Sequence, residues 1–200
     1  MREAVLIFVK NLIPGQVKTR LAATIGNEAA LNIYGELLQH TNHITQSLDA
    51  AKIVFYSSYI EEHDYWHIKD FKKQIQEGND LGERMQHAFT SAFEEGYEKA
   101  VIMGSDCPGI NEEIIKSAFV TLNKCDVAIG PASDGGYYLL GMKKLHAGLF
   151  KDVEWSTDVV LSQTIDRCRR SDLSYILLPV LDDVDEEKDL KYMKKKRLVI

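Results

Sequence analysis

Residues 4–9 read Ala-Val-Leu-Ile-Phe-Val, an unbroken apolar run closed by Lys10. A strand with one wet face alternates apolar and polar residues, whereas a continuous run is the mark of a strand buried on both faces. Such strands occur in parallel sheets covered by helices on either side. Further short apolar runs recur at Lys52–Ser57, Ala100–Met103, Asp126–Gly130, Tyr137–Met142 and Tyr175–Leu178. Helical patterns separate them. Asn27 is placed to cap a helix to about Leu48, with Leu31, Tyr34, Leu37, Leu38 and Ile44 on one face. Asp80 precedes a helix over Leu81–Glu95, with Glu83 at capping-box spacing. Asn111 caps a helix to about Leu122, and Thr157 opens one to about Arg170. The basic tail from Lys191 to Arg197 is expected to finish on a terminal helix. Alternating strands and helices predict an α/β fold with a mostly parallel sheet.

The 200 residues show no repeat, linker or composition shift, so one domain spanning 1–200 is expected. A hydrophobic content of 45% is enough for a sizeable core. The net charge of −6 argues against a general nucleic-acid binder, which neutralises phosphates with excess cations. It leaves room for an anionic small molecule held by a local cationic cluster. Cys107, Cys125 and Cys168 are odd in number and form no C-x-x-C, so neither a disulfide framework nor a cysteine zinc site is indicated. No apolar run reaches the length of a signal-peptide core or a membrane span. A cytoplasmic protein is expected.

In parallel sheets, ligands bind beyond the carboxyl ends of the strands, so the loops there carry the chemistry. The first loop, Lys10 to Leu21, contains a Pro14-Gly15 turn and then Lys18-Thr19-Arg20 at the start of a helix. Two cations at a helix N-terminus oppose the helix dipole, a conflict that an anion such as a di- or triphosphate resolves. Neither G-x-x-x-x-G-K-[ST] nor G-x-G-x-x-G is present. In the second loop, Gly78 and Gly82 flank Asn79, Asp80 and Leu81; they let backbone approach a flat ligand or simply form a capped strand-to-helix turn. In the third, Asp106 follows a buried strand and either holds Mg2+ or Mn2+ or serves as a turn residue before Pro108. In the fourth, Asp134-Gly135-Gly136 suits a hairpin, yet Tyr137, Trp155 and Ser156 lie close in sequence and suit a polar acceptor such as a sugar. Asp183 and Asp185 bracket Val184; in an extended segment both face one side and can complete a cation site, or they precede a charged helix start. His63-Asp64-Tyr65-Trp66-His67 mimics a zinc-protease helix without its glutamate, and is discounted.

The ordered stretches F-V-K-x-x-x-P-G-x-V-K-T-R-L from Phe8, G-N-D-L-G-E-R-M from Gly78, M-G-S-D-C-P-G from Met103, G-P-A-x-D-G-G-Y-Y-L-L-G-M from Gly130, V-E-W-S-T from Val153 and D-V-D-x-x-x-D-L from Asp183 span nearly the whole chain. Together they resemble the small bacterial GT-A-type nucleotide-diphospho-sugar transferases. More distantly they are similar to the guanylyltransferases that activate phospholactate or the molybdenum cofactor. The resemblance implies a three-layer α/β/α, Rossmann-like GT-A fold. It implies a nucleotide on Lys10, Lys18, Thr19, Arg20, Gly78, Asn79, Gly82 and Asp106. It places an acceptor on Asp134, Gly135, Gly136, Tyr137, Trp155 and Ser156, gives catalytic roles to Asp106 and Asp134, and puts Mg2+ or Mn2+ on Asp106 and Asp185. The implied partners are a nucleotide-sugar or nucleoside triphosphate and a small-molecule acceptor. Glycosyl transfer is the leading expectation. Nucleotidyl transfer is the alternative, set back by Glu186-Glu187 standing where the guanylyltransferases carry Thr-Pro. Non-catalytic nucleotide binding is a third.

Overall fold

A computed structural model describes residues 2–195. Its elements run β1 (Glu3–Val9), α1 (Thr19–Ile25), α2 (Asn27–Gln46), β2 (Ala51–Tyr56), β3 (Lys72–Ile75), α3 (Leu81–Glu94) and β4 (Lys99–Met103), then α4 (Glu112–Thr121), β5 (Val127–Pro131), β6 (Tyr137–Met142), α5 (Val160–Arg170), β7 (Tyr175–Leu177) and α6 (Leu190–Lys195). The seven strands form one sheet in the order β3-β2-β1-β4-β6-β5-β7. All neighbours pair in parallel except β6, which runs antiparallel between β4 and β5.

The two faces of β1 show why its sequence is apolar throughout. Val5, Ile7 and Val9 pack with Tyr34, Leu37 and Leu38 of α2 and with Ile115 and Phe119 of α4. Ala4 and Leu6 face the other way, into a second cluster with Met85, Ala88 and Phe89 of α3 and Cys168 of α5. Helices therefore cover both sides of the sheet in three layers, as expected. Each Val, Leu, Ile, Met or Phe side chain among them moved out of water contributes about 1.5–3 kcal/mol. No helix among the described residues is long and apolar enough to cross a membrane.

Several boundaries differ from the sequence expectation for local reasons. Asn27 does not cap: the backbone turns at Gly26, φ 88°, which ends α1 and begins α2, so Asn27 is already helical. Only a glycine enters that left-handed region without strain. The last major helix starts at Val160 rather than Thr157, because Ser156 is left-handed (φ 65°) and the Thr157 hydroxyl bonds back to Glu154 O at 2.6 Å. Strand β3, Lys-Lys-Gln-Ile, escapes a hydrophobic reading because it is a solvated edge strand. The terminal helix is present to Lys195; Lys196 and Arg197 of the expected tail lie outside the described residues.

The order β2-β1-β4 positions the site. The chain leaves β1 for β2 on one side, while β4 lies on the other, so the loops after β1 and β4 part above the sheet. A crevice opens at such a switch point.

Candidate functional site

The two diverging loops are tied together at their bases. Lys10 N donates to the Tyr34 hydroxyl at 2.8 Å, and that hydroxyl lies 2.9 Å from Ser105 Oγ, so α2 braces the loop after β1 against the loop after β4. Buried Asn11 fastens the same loop to the one after β2, donating to Tyr59 O at 2.8 Å and accepting from Ser58 N at 3.1 Å. Lys18 stands at the start of α1 with φ 46° and ψ 47°. That conformation costs a non-glycine residue about 1–2 kcal/mol. It sends the side chain inward: Lys18 Nζ donates to Asp106 Oδ2 at 3.0 Å and to Asp185 Oδ1 at 3.2 Å, with only 5% of its side chain exposed. Arg20, far more exposed, reaches Asp185 Oδ2 at 3.3 Å.

The Asp185 segment is itself locked in place. Val184 N donates to Asp106 O at 3.1 Å, and Ser133 Oγ donates to Asp182 Oδ1 at 2.7 Å. Residues 18, 106 and 185, far apart in the chain, thus meet at one corner. Burial would favour a neutral Lys18, but the charges of Asp106 and Asp185 outweigh it and hold the ammonium above its ordinary range. Burial also pushes the Asp106 carboxyl up, and the adjacent Lys18 more than offsets this, so it is held below the usual range. Asp183 goes the opposite way. Burial, with the Asp106 charge nearby, pushes it well above the carboxylate range, and its buried Oδ1 has no hydrogen-bond partner.

A cavity of about 860 Å3 opens over this corner. Of the expected nucleotide residues, Lys10, Lys18, Thr19, Arg20, Asn79 and Asp106 line it; of the expected acceptor and metal residues, Asp134, Gly136, Tyr137, Trp155, Ser156 and Asp185 do. Gly78, Gly82 and Gly135 stand behind the wall. A Cβ on Gly82 would fall 2.5 Å from three ring atoms of Trp155, and one on Gly135 would fall 2.0 Å from Asp158 O. These two glycines admit the neighbours that form the wall. Gly78 O accepts from Arg84 Nε at 3.1 Å, which holds the Arg84 side chain at the cavity. Tyr34, Gln76 and Asp158 also line the cavity and lie outside the quoted stretches, while Ser105 and Arg84 lie within two of them without an evident role there. Tyr34 sits in a helical apolar pattern, and nothing in that pattern tells that its hydroxyl ends between two loops.

Among the described residues no group of three His, Cys, Asp or Glu has the arrangement of a metal site. The chemistry of the donors nevertheless suits a hard cation. Asp106 and Asp185 already share the Lys18 ammonium, Asp185 also meets Arg20, and Asp183 adds an unpartnered carboxyl oxygen, oxygen donors of the kind Mg2+ and Mn2+ take. The discounted zinc-like stretch is not helical; its Asp64 is bound to Lys73 at 2.7 Å and to the Tyr56 hydroxyl. Burial raises the Cys107 thiol well above its ordinary value, and it donates to Asp182 O at 3.4 Å, so it is no nucleophile.

The architecture is that of GT-A-like α/β proteins. The family model described as "Uncharacterized protein conserved in bacteria (DUF2064)" matches residues 40–157, and the chain belongs to this family. A "putative nucleotide-diphospho-sugar transferase" from Desulfovibrio desulfuricans G20 superposes with a TM-score of 0.90 at 34% identity, over 98% of this chain and 89% of that one. The fold is also shared by CMP:2-keto-3-deoxy-manno-octonic acid synthetase in complex with CTP, with TM-score 0.60, 10% identity and 99% and 98% of the two chains covered. Glucosyl-3-phosphoglycerate synthase from Mycobacterium tuberculosis, in complex with Mn2+, uridine-diphosphate and glucosyl-3-phosphoglycerate, superposes with TM-score 0.58 at 10% identity, over 98% of this chain and 77% of that one. No functionally curated protein matches the chain.

Proposed function

We propose that the protein is a transferase that takes a nucleotide-sugar donor and passes the glycosyl group to a small-molecule acceptor, with displacement of the nucleotide diphosphate. The observation that carries this reading is the corner where Lys18 meets Asp106 at 3.0 Å, at the sheet switch point and beneath one large cavity. Lys18, Arg20 and Lys10 supply positive charge where a leaving diphosphate accumulates negative charge. Asn79, Gln76 and Arg84 stand nearby as donors for the nucleoside. The hairpin residues Asp134 and Gly136, with Tyr137, Trp155 and Ser156, offer aromatic faces and hydrogen-bonding groups to a hydroxyl-rich acceptor, and Asp134 is the candidate base for its hydroxyl. Asp106 and Asp185, joined by Asp183, would hold Mg2+ or Mn2+. Such an ion supplies charge neutralisation to the departing diphosphate. The 34% identity to a nucleotide-diphospho-sugar transferase assignment supports glycosyl transfer over nucleotidyl transfer.

Thermal-shift and calorimetric titration test the reading. UDP- or GDP-sugars with Mn2+ should raise the melting temperature more than free nucleoside triphosphates do. Arg20→Ala should weaken nucleotide binding by about 1–3 kcal/mol, the range for a charge-assisted contact. If triphosphates stabilise and nucleotide-sugars do not, nucleotidyl transfer replaces glycosyl transfer. If no nucleotide binds, the proposal falls.

A further inference from the structure

The two edges of the sheet are built differently. At one edge, β3 carries Lys72 and Lys73, and charged side chains of this kind discourage pairing with another strand. At the other edge, β7 lies in a stretch from Leu173 to Leu181 that contains no charged residue. No segment among the described residues pairs with its outer side. Its apolar side chains stand in water: Ile176 is 39% exposed, Leu177 46% and, just beyond the strand, Val180 65%. The backbone there is unpaired as well. Val127 N donates to Ser174 O and Leu178 N donates to Ile129 O, so the even-numbered residues of this stretch turn their polar groups toward β5. Alternation along the strand leaves the N–H and C=O of Tyr175 and Leu177 pointing outward. Pro179 has no N–H and its carbonyl accepts from the Tyr138 hydroxyl, so the run stops there.

Exposed apolar chains beside unmatched backbone groups form a template for a further strand. The flanking charges say which one. Arg170 closes α5 just before β7, exposed and with no acidic partner among the described residues. Asp182 follows the stretch at its other end, its carboxylate held only by the Ser133 hydroxyl. An antiparallel copy of the same segment brings each Arg170 end beside the other's Asp182 end, whereas a parallel copy would set like charge beside like.

We propose that β7 pairs with β7 of a second copy of this chain, antiparallel about a two-fold axis through Ile176. Tyr175 then exchanges both backbone hydrogen bonds with Leu177 of the second copy, and Leu177 does the same with its Tyr175. The two Ile176 side chains meet on one face, and the two seven-stranded sheets become continuous. The strands of the two copies run in opposite directions, so the cavities open at opposite ends of the joined sheet and neither is covered. The pairing is independent of the proposed function.

Sedimentation velocity on the full chain from about 1 µM to about 1 mM tests the association. A monomer–dimer equilibrium is expected, since so short an edge makes a small interface. Ile176→Lys and Leu177→Lys, both at exposed positions, should keep the melting temperature and sediment as monomers. Cross-linking fixes the geometry. Opposed Cα atoms of a pair that is not hydrogen-bonded lie about 4.5 Å apart, within disulfide reach. The three native thiols are buried. Ile176→Cys should therefore give a disulfide-linked dimer with oxidised glutathione. Val180→Cys, more exposed but well away from the axis, should give little. A chain that stays monomeric throughout the range overturns the proposal. So does a dimer that survives both lysine substitutions, or a Val180→Cys protein that cross-links as readily as Ile176→Cys.

Discussion

Gly82→Ala should destabilise the protein even though alanine is the better helix former. Gly82 is the second residue of α3, and its added Cβ would lie 2.5 Å from Cε2, Cζ2 and Nε1 of Trp155. Carbon atoms in good contact sit about 3.5–4.0 Å apart, so one partner must retreat by roughly 1 Å. The helix start cannot easily move, since Glu83 N is fixed to the Asp80 cap at 2.8 Å. The displacement therefore falls on the indole, which is part of the cavity wall. Alanine in place of glycine returns at most about 1 kcal/mol of helix propensity. Overpacking of this kind costs about 1–3 kcal/mol, so the clash wins by up to about 2 kcal/mol. At roughly 2–4 °C per kcal/mol for a chain of this size, the melting temperature should fall by up to about 4–8 °C. Calorimetry measures that fall, and tryptophan emission reports the indole, because Trp66, the other tryptophan of the chain, is fully buried elsewhere. Gly148→Ala is the control: its Cβ would meet nothing within 4 Å. A Gly82→Ala protein that melts no lower than the unaltered one, with unchanged emission, would refute the packing account.

Two further outcomes follow from buried groups. Burial, and then the charge of Lys144, hold the His146 imidazole below its ordinary value, and its buried Nε2 lacks a partner. Because the folded value is depressed, the unfolded chain takes up the proton first, so this contribution is complete above about pH 6.5 and is lost as pH falls through the folded value. His146→Gln should accordingly flatten the decline in melting temperature between pH 7.5 and pH 5.5, and an identical decline in both proteins would contradict it. The free thiols of Cys107, Cys125 and Cys168 are all buried, and burial raises each of them, Cys168 to about 11. Alkylation by iodoacetamide near neutral pH should be slow in the native protein and complete in denaturant. Rapid labelling of Cys107 in the folded state would contradict the burial that holds its thiol protonated.

The sheet and its covering helices were legible because a strand buried on both faces has no polar option. Capping was legible where the side chain does the capping. Asp80 and Asn111 accept from Glu83 N and Ile114 N as their spacing foretold, whereas at Asn27 a glycine's left-handed turn took the role that the side chain was expected to fill. The edge strand β3 was hidden because water, rather than a second layer, faces its lysines. At the site, Lys18 stood out because its charge opposes the helix dipole, whereas Asp106 and Asp134 suited ordinary turns and stood out only by their place beyond the strand ends. Arg84 lay in the stretch from Gly78 without an evident role, and spacing could not announce the Tyr34 hydroxyl, which depends on how two distant loops and a helix come together. Nor could it show that Gly82 and Gly135 serve other residues of the wall.

The contact of Lys18 with Asp185 spans 167 positions of the chain. During synthesis the amino-terminal strand, its loop and the central strand carrying Asp106 emerge long before residue 185 leaves the ribosome. A nascent chain therefore passes through a stage in which the sheet can begin to form while the corner around Lys18 still lacks Asp185. Completion of that corner waits for residue 185, and a polypeptide released before that residue would lack the Lys18–Asp185 contact.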